Sequence, residues 1–368
     1  MKRITLLFTI LLLCLLSIAN LQAQTLSFGP DIQTSKDERV AEIAKYWESY
    51  IIAQGKRDYN PDSTQFWSKK NQDLLRHAIS PNFSIYNDGQ HVVQSIRKVN
   101  EIGLYEINST YKIKIPISEI PIFFMLYKTY VTESETGYQL HNYFDVTKNS
   151  LQHRGDENIE FYFSSQKSPD KRKIKESLDF YDSFTDAYNL EPQNKITFIV
   201  ANSTDEAWQM LGVPYTVYRS EKSYAGLVIY PSMILTSREN HIHELVHAIL
   251  FPLYPRIPMW LNEGMATYYG RVNNNDYKHY IPKFKAFLAE NSDINIFDRE
   301  TLNMQIDDAI GVQYIVGAMF VDHIIKEYGH EKLKQIFACT STEEILMQIE
   351  VEPEFTNSWF KELITNYK

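Results

Sequence analysis

The chain is poor in cysteine, with 2 in 368 residues. So few cysteines exclude a disulfide framework, and stability must come mainly from a packed core. Cys339 follows Ile336-Phe337-Ala338 and is expected as a small buried apolar residue, not a nucleophile. Basic residues are also in deficit, 37 Lys and Arg against 46 Asp and Glu, a net charge of −9. That deficit excludes nucleic acid as a partner, because nucleic-acid binding depends on patches of Lys and Arg.

Long apolar runs are missing too, with one exception. Lys2 and Arg3 precede an apolar stretch over residues 4–18, and Ala23 offers a small residue before Gln24. A stretch of about fifteen residues is short for a membrane span of ~20. The pattern is that of a secretory signal peptide over residues 1–23. Leu13 stands where a lipoprotein signal would need a small residue before Cys14. The expectation is an exported protein, periplasmic or extracellular, with no stable membrane span after cleavage. Loss of Lys2 and Arg3 takes the charge to −11.

What the chain does carry changes character along its length. Residues 24–34 read as a flexible start. Residues 37–53 have apolar positions at threes and fours (Val40, Ile43, Ala44, Trp47, Ile51), the spacing of an amphipathic helix. A short helix fits 66–78. From residue 83 the period shifts to that of strands, over 84–86, 92–99, 103–115, 123–132 and 137–146, with a hairpin turn at 133–136. Residues 24–152 are therefore expected as an α+β module, a small antiparallel sheet curled around a helix in a loosely cystatin-like arrangement. Its histidines, His77, His91, His141 and His153, are scattered and read as structural. From 153 onward, strands at 159–163 and 195–201 alternate with helices at 170–188 and 203–211. A strand–turn–strand follows at 224–236. Beyond Gly270 the pattern is helical: 276–289, 312–328, 331–338, 342–349 and 354–366. The fold class is α+β throughout.

The chemistry concentrates in His243-Glu244-Leu245-Val246-His247, within an apolar run long enough for a helix. Positions i and i+4 fall about 40° apart on a helix, one turn along. His243 and His247 thus share a face and can grip one ion, while Glu244 is placed to activate water. A catalytic zinc takes three protein ligands and keeps one position open. Glu263 is the third candidate. Pro252, Pro255 and Pro258 separate it from the first helix, which should stop by Phe251. Pro258 suits the first turn of a second helix and Gly270 its end. The cofactor expected is one Zn2+.

H-E-L-V-H followed by Trp260-Leu261-Asn262-Glu263-Gly264-Met265-Ala266-Thr267-Tyr268 resembles the gluzincin metallopeptidases of the peptidase MA-like group. The similarity is nearest to their alanyl-aminopeptidase branch, and it covers the two motif helices and one later segment. The gap from His247 to Glu263 is a few residues shorter than in that branch. The G-x-M-E-N strand that grips a free amino terminus is missing; Ala225-Gly226-Leu227-Val228-Ile229-Tyr230 stands there instead. The resemblance implies a zincin-like domain over 153–368, with a mixed-sheet upper lobe and a helical C-terminal lobe. It implies zinc hydrolysis of peptide bonds in peptide or protein substrates, with Glu244 as general base. It implies an edge strand at Gly226, Leu227, Val228 and Ile229 that binds substrate by strand addition. Tyr314-Ile315-Val316-Gly317 resembles the Y-x-x-G of that branch, making Tyr314 the donor to the oxyanion. Tyr268, Tyr269, His279 and His323 are its rivals. Two other readings stand beside the peptidase: a binding or scaffold protein that keeps the zinc lobe, and an aminopeptidase.

Overall fold

A stripe of apolar side chains on one helix organises the N-terminal part of the chain. The computed structural model describes residues 25–54, 65–68, 90–100, 103–113, 122–135, 137–216, 226–229, 232–272, 275–308, 310–352 and 356–367. Two compact units emerge: residues 1–150 with 208–221, and residues 151–207 with 222–368. The chain is α+β. Among the described residues, no helix is long and apolar enough to cross a membrane. The expected signal peptide, and most of the expected 66–78 helix and 84–86 strand, lie outside the described residues.

In the first unit, β1 (Thr25–Phe28), α1 (Glu38–Gln54), β2 (Gln90–Lys98), β3 (Leu104–Ile113), β4 (Ile122–Ser134) and β5 (Gly137–Asn142) follow in order. The sheet runs β1-β2-β3-β4-β5, and the short strand Tyr215–Thr216 also pairs with β4. β2 to β5 form an antiparallel meander. Helix α1 buries Ile43, Ala44, Trp47, Tyr50 and Ile51 in one cluster with Val93, Ile107, Tyr127, Val131 and Leu140. Each large side chain buried in this way contributes roughly 1.5–3 kcal/mol. Trp47→Ala alone would cost about 3–5 kcal/mol.

Two expectations for this unit need correction. Residues 24–34 are not simply flexible: Thr25 to Phe28 pair in parallel with β2, from Gln90 to Val93. The last strand does not run to 146. It ends at Asn142, whose side-chain oxygen accepts from the Asp145 amide at 2.9 Å and caps the short helix Tyr143–Thr147. An Asn at this position satisfies an amide left open by a helix start.

In the second unit, β6 (Gln152–Gly155), β7 (Ile159–Phe163), β8 (Ile196–Val200), β9 (Leu227–Ile229) and β10 (Met233–Thr236) form a mixed sheet ordered β9-β10-β8-β7-β6. β7, β8 and β10 are mutually parallel, and both edge strands run antiparallel. The crossover from β7 to β8 is α2 (Lys171–Tyr188), started by Asp170, whose side chain accepts from the Arg172 and Lys173 amides, and stopped by left-handed Asn189. Then come α3 (Ile242–Leu253) and α4 (Met259–Gly270). The rest is mainly helical: Tyr277–Tyr280, Ile281–Glu290, Arg299–Leu302, α5 (Val312–Phe337), Thr342–Met347 and Thr356–Asn366, with a two-stranded ribbon of Gln305–Asp307 and Ile310–Gly311 just before α5. The expected break between 328 and 331 is present as non-helical Gly329 inside α5.

One core runs through this unit, joining Phe161, Phe198 and Ile234 of the sheet to Leu245, Val246 and Ile249 of α3, and to Leu261, Met265, Ile315 and Phe320 of α4 and α5. Helix α3 does not stop at Phe251. Pro252 lies inside it, one residue before the end. A proline there removes one amide from the last turn only, and Tyr254 closes the helix by donating to Leu250. Cys339 is buried in this core and forms no disulfide, as its neighbours implied. Burial pushes its thiol up, away from thiolate chemistry.

Candidate metal centre

Helices α3 and α4 fold back on each other at close range. A Cβ on Gly270, at the end of α4, would lie 2.2 Å from the His243 amide nitrogen at the start of α3. Only glycine permits that approach. The turn before α3 is held from several sides. The Thr236 hydroxyl meets His241 Nδ1 at 2.9 Å and accepts from the Arg238 amide at 3.2 Å. Glu239 Oε1 accepts from the Asp170 amide at 2.9 Å, and its carbonyl accepts from the Ser177 hydroxyl at 2.8 Å. Lys167 donates to the Ser237 carbonyl at 2.9 Å. These bonds fix where the helix begins, and therefore where its first turn points.

Three atoms converge from the two helices. The Nε2 atoms of His243 and His247 stand 3.3 Å apart. Glu263 Oε2 is 3.3 Å from the first and 3.4 Å from the second. Among the described residues, these three form the group of His, Cys, Asp and Glu side chains able to hold a metal ion. A tetrahedral zinc with bonds of ~2.0–2.2 Å needs ligand atoms roughly 3.3–3.5 Å apart. The triangle has those edges. Glu263 Oε2 has no aligned hydrogen-bond donor although it is buried. Without a cation, three electron-rich atoms would share this space at a cost of desolvation and repulsion. The donor set therefore fits a metal.

Burial pushes the Glu263 carboxyl up, but the two imidazoles outweigh it and lower it to about 2. Burial pulls His247 down, and Glu263, Glu244 and Asn262 together raise it. Asn262 is fully buried, and neither amide atom makes an aligned hydrogen bond. Its influence on His247 puts it beside that ring, which makes it the companion expected for a ligating histidine. The sequence hinted at this residue only through its place next to Glu263.

Glu244 lies on the same side. It is buried, and its Cγ lies 2.7 Å from where a Cβ on Gly226 would be. Strand β9 therefore runs past the general-base candidate. It is the sheet edge among the described residues, pairing only with β10. Gly226 thus borders the site, and Leu227, Val228 and Ile229 continue from it as the edge strand; Leu227 is exposed.

Tyr314 also arrives here, on the first turn of α5. Its ring centroid is 6.1 Å from that of His243, at 30° to it. Burial, with help from Glu263 and Glu244, pushes its phenol up to about 12. It is a hydrogen-bond donor at neutral pH. The rivals go elsewhere. The Tyr269 hydroxyl meets that of Tyr188 at 2.7 Å, and Tyr268 packs on Tyr277. His323 packs on Trp359, and His279 on Tyr280.

Comparison with protein-family models finds no match to this chain, and a search of curated proteins finds none either.

Proposed function

We propose that the protein is an exported zinc metallopeptidase of gluzincin type. The single observation that carries this is the triangle of His243 Nε2, His247 Nε2 and Glu263 Oε2, with edges of 3.3–3.4 Å and Glu244 alongside. His243, His247 and Glu263 hold the ion. Zinc, when bound, supplies a Lewis acid and lowers the pKa of a water to ~7.

The chain's own residues do the rest. Glu244 takes the proton of the attacking water and passes it to the leaving amine. The Tyr314 O–H donates to the oxygen of the scissile carbonyl as it gains charge. Main-chain groups of β9 pair with an extended peptide and set it beside Glu244. No carboxylate of this strand stands ready for a free amino terminus, which favours internal cleavage over aminopeptidase action. The mixed sheet above two motif helices and a helical lobe is the layout that the zincin resemblance implies. The leader over residues 1–23 carries the proposal that the enzyme works outside the cytoplasm.

The test is hydrolysis of a broad peptide library by wild type and by Glu244→Gln, each with its metal content measured. The proposal expects cleavage by wild type and, at equal zinc content, loss of about 10²–10⁴-fold in the variant. Equal cleavage by both would refute it. A zinc-loaded wild type that cleaves nothing would favour the scaffold reading.

A further inference from the structure

One imidazole at this site is neither a ligand nor the general base. His241 stands immediately before the first turn of α3, and its ring is buried. The ring makes no capping hydrogen bond to the helix. It turns back to the sheet instead. Its Nδ1 meets the hydroxyl of Thr236, the last residue of β10, at 2.9 Å.

The same ring touches the neighbouring strand. A Cβ on Gly226 would lie 2.2 Å from His241 Cε1 and 2.4 Å from its Nδ1. Leu227 stands opposite Leu235 in the antiparallel pair, so Gly226 and Thr236 come together at the end of this ribbon. The imidazole lies across that end, bonded to one strand and packed on the backbone of the other. Its third neighbour is the general-base candidate. A Cβ on Gly226 would also lie 2.7 Å from Glu244 Cγ. His241 and Glu244 are three positions apart, the spacing of neighbours on a helix face. The two side chains therefore share one small space, and the backbone of Gly226 closes it.

A peptide added to the edge of β9 takes its position from β9. How near β9 comes to α3 is limited by the flat ring wedged between them. We propose that His241 is a positioning residue, the spacer that holds the substrate-bearing strand at its working distance from Glu244. This rests on the peptidase reading and adds what sets the separation of bound peptide and general base. That separation is critical, because a misplacement of ~1 Å costs about 10²-fold in rate.

The experiment uses the zinc-loaded full chain and a peptide that wild type cleaves. His241→Ala removes the spacer and should lower kcat by roughly 10²-fold, at unchanged zinc content. His241→Phe keeps a flat ring and loses only the bond to Thr236. It should stay within about tenfold of wild type, the most that one neutral hydrogen bond is worth. His241→Asn keeps a polar group for Thr236 without the ring, and should fall as far as His241→Ala. A histidine needed for its hydrogen bond, or for moving a proton, would leave His241→Phe as poor as His241→Ala; that result overturns the proposal.

A double-mutant cycle gives the second readout. Gly226→Ala drives a methyl into the ring of wild type and should lower kcat. In His241→Ala the ring is gone, and the same substitution should cost about tenfold less. Any strain that Ala brings to the backbone at 226 is common to both backgrounds and cancels. Additive losses overturn the proposal while the peptidase reading stands. Should wild type cleave no peptide, that reading fails by itself, and thermal unfolding reads the same cycle. A smaller destabilisation by Gly226→Ala in His241→Ala than in wild type supports the spacer; an equal one refutes it.

Discussion

Gly264 and Gly317 meet backbone to backbone: a Cβ on Gly264 would lie 2.3 Å from the Gly317 Cα, and one on Gly317 would lie 2.1 Å from the Trp260 carbonyl oxygen. Gly264 follows the candidate ligand Glu263, and Gly317 is one turn after Tyr314. The contact therefore sets the distance between the third ligand and the phenol. It also gives the glycine of the Tyr314–Gly317 motif a physical reason.

Gly317→Ala should force α4 and α5 apart. Overpacking of this kind costs about 1–3 kcal/mol. The melting temperature should fall, and metal affinity with it, because Glu263 shifts with its helix. Thermal unfolding and a zinc titration read the two effects. A variant as stable as wild type would show that the helices yield without cost.

Tyr314→Phe keeps the ring against His243 and removes only the O–H. The expected loss is about 10²–10³-fold in kcat, with KM and zinc content unchanged. A loss confined to KM would assign Tyr314 to substrate binding instead.

His91 makes acid stability testable in the first unit. It is fully buried, its ring tilted against Tyr111 with centroids 5.0 Å apart, and its Nδ1 is 3.3 Å from the Tyr127 hydroxyl. Burial pulls its pKa down to about 3, from an ordinary 6.5. The unfolded chain takes a proton below pH 6.5, and the folded one holds out until about 3. The unfolded state thus binds more protons across that window, and stability falls as pH drops through it. Between pH 6.5 and 4.5 this amounts to about 1–3 kcal/mol. His91→Phe should flatten the dependence, whatever it does to stability at neutral pH. Denaturant unfolding at four or five pH values checks it, and parallel curves for the two proteins would refute it.

The metal triangle was legible in sequence because helical geometry converts a spacing of four into a shared face. Nothing remote was needed for His243 and His247. Glu263 followed from the need for a third ligand and from the prolines that set off a second helix, while Tyr314 required the resemblance, since it comes from a helix fifty residues on. Glu239 carried no local signal, because its part in holding the turn before α3 depends on Asp170 and Ser177 lying beside it. In the first unit, Tyr143 and Phe144 have the composition of a strand, and the capping side chain of Asn142 overrode it. β1 was missed because a four-residue strand is defined by its partner β2, sixty-odd residues away. Pro252 marked the helix end two residues too early, since the last turn can spare one amide.

In the proposed enzyme His243, His247 and Glu263 together hold one zinc ion. Elemental analysis of the purified chain, after exposure to zinc and exhaustive dialysis, tests it most directly. Wild type should retain one zinc per chain, and both His247→Ala and Glu263→Ala should lose most of it. Wild type emerging without zinc, or variants retaining it undiminished, would contradict it.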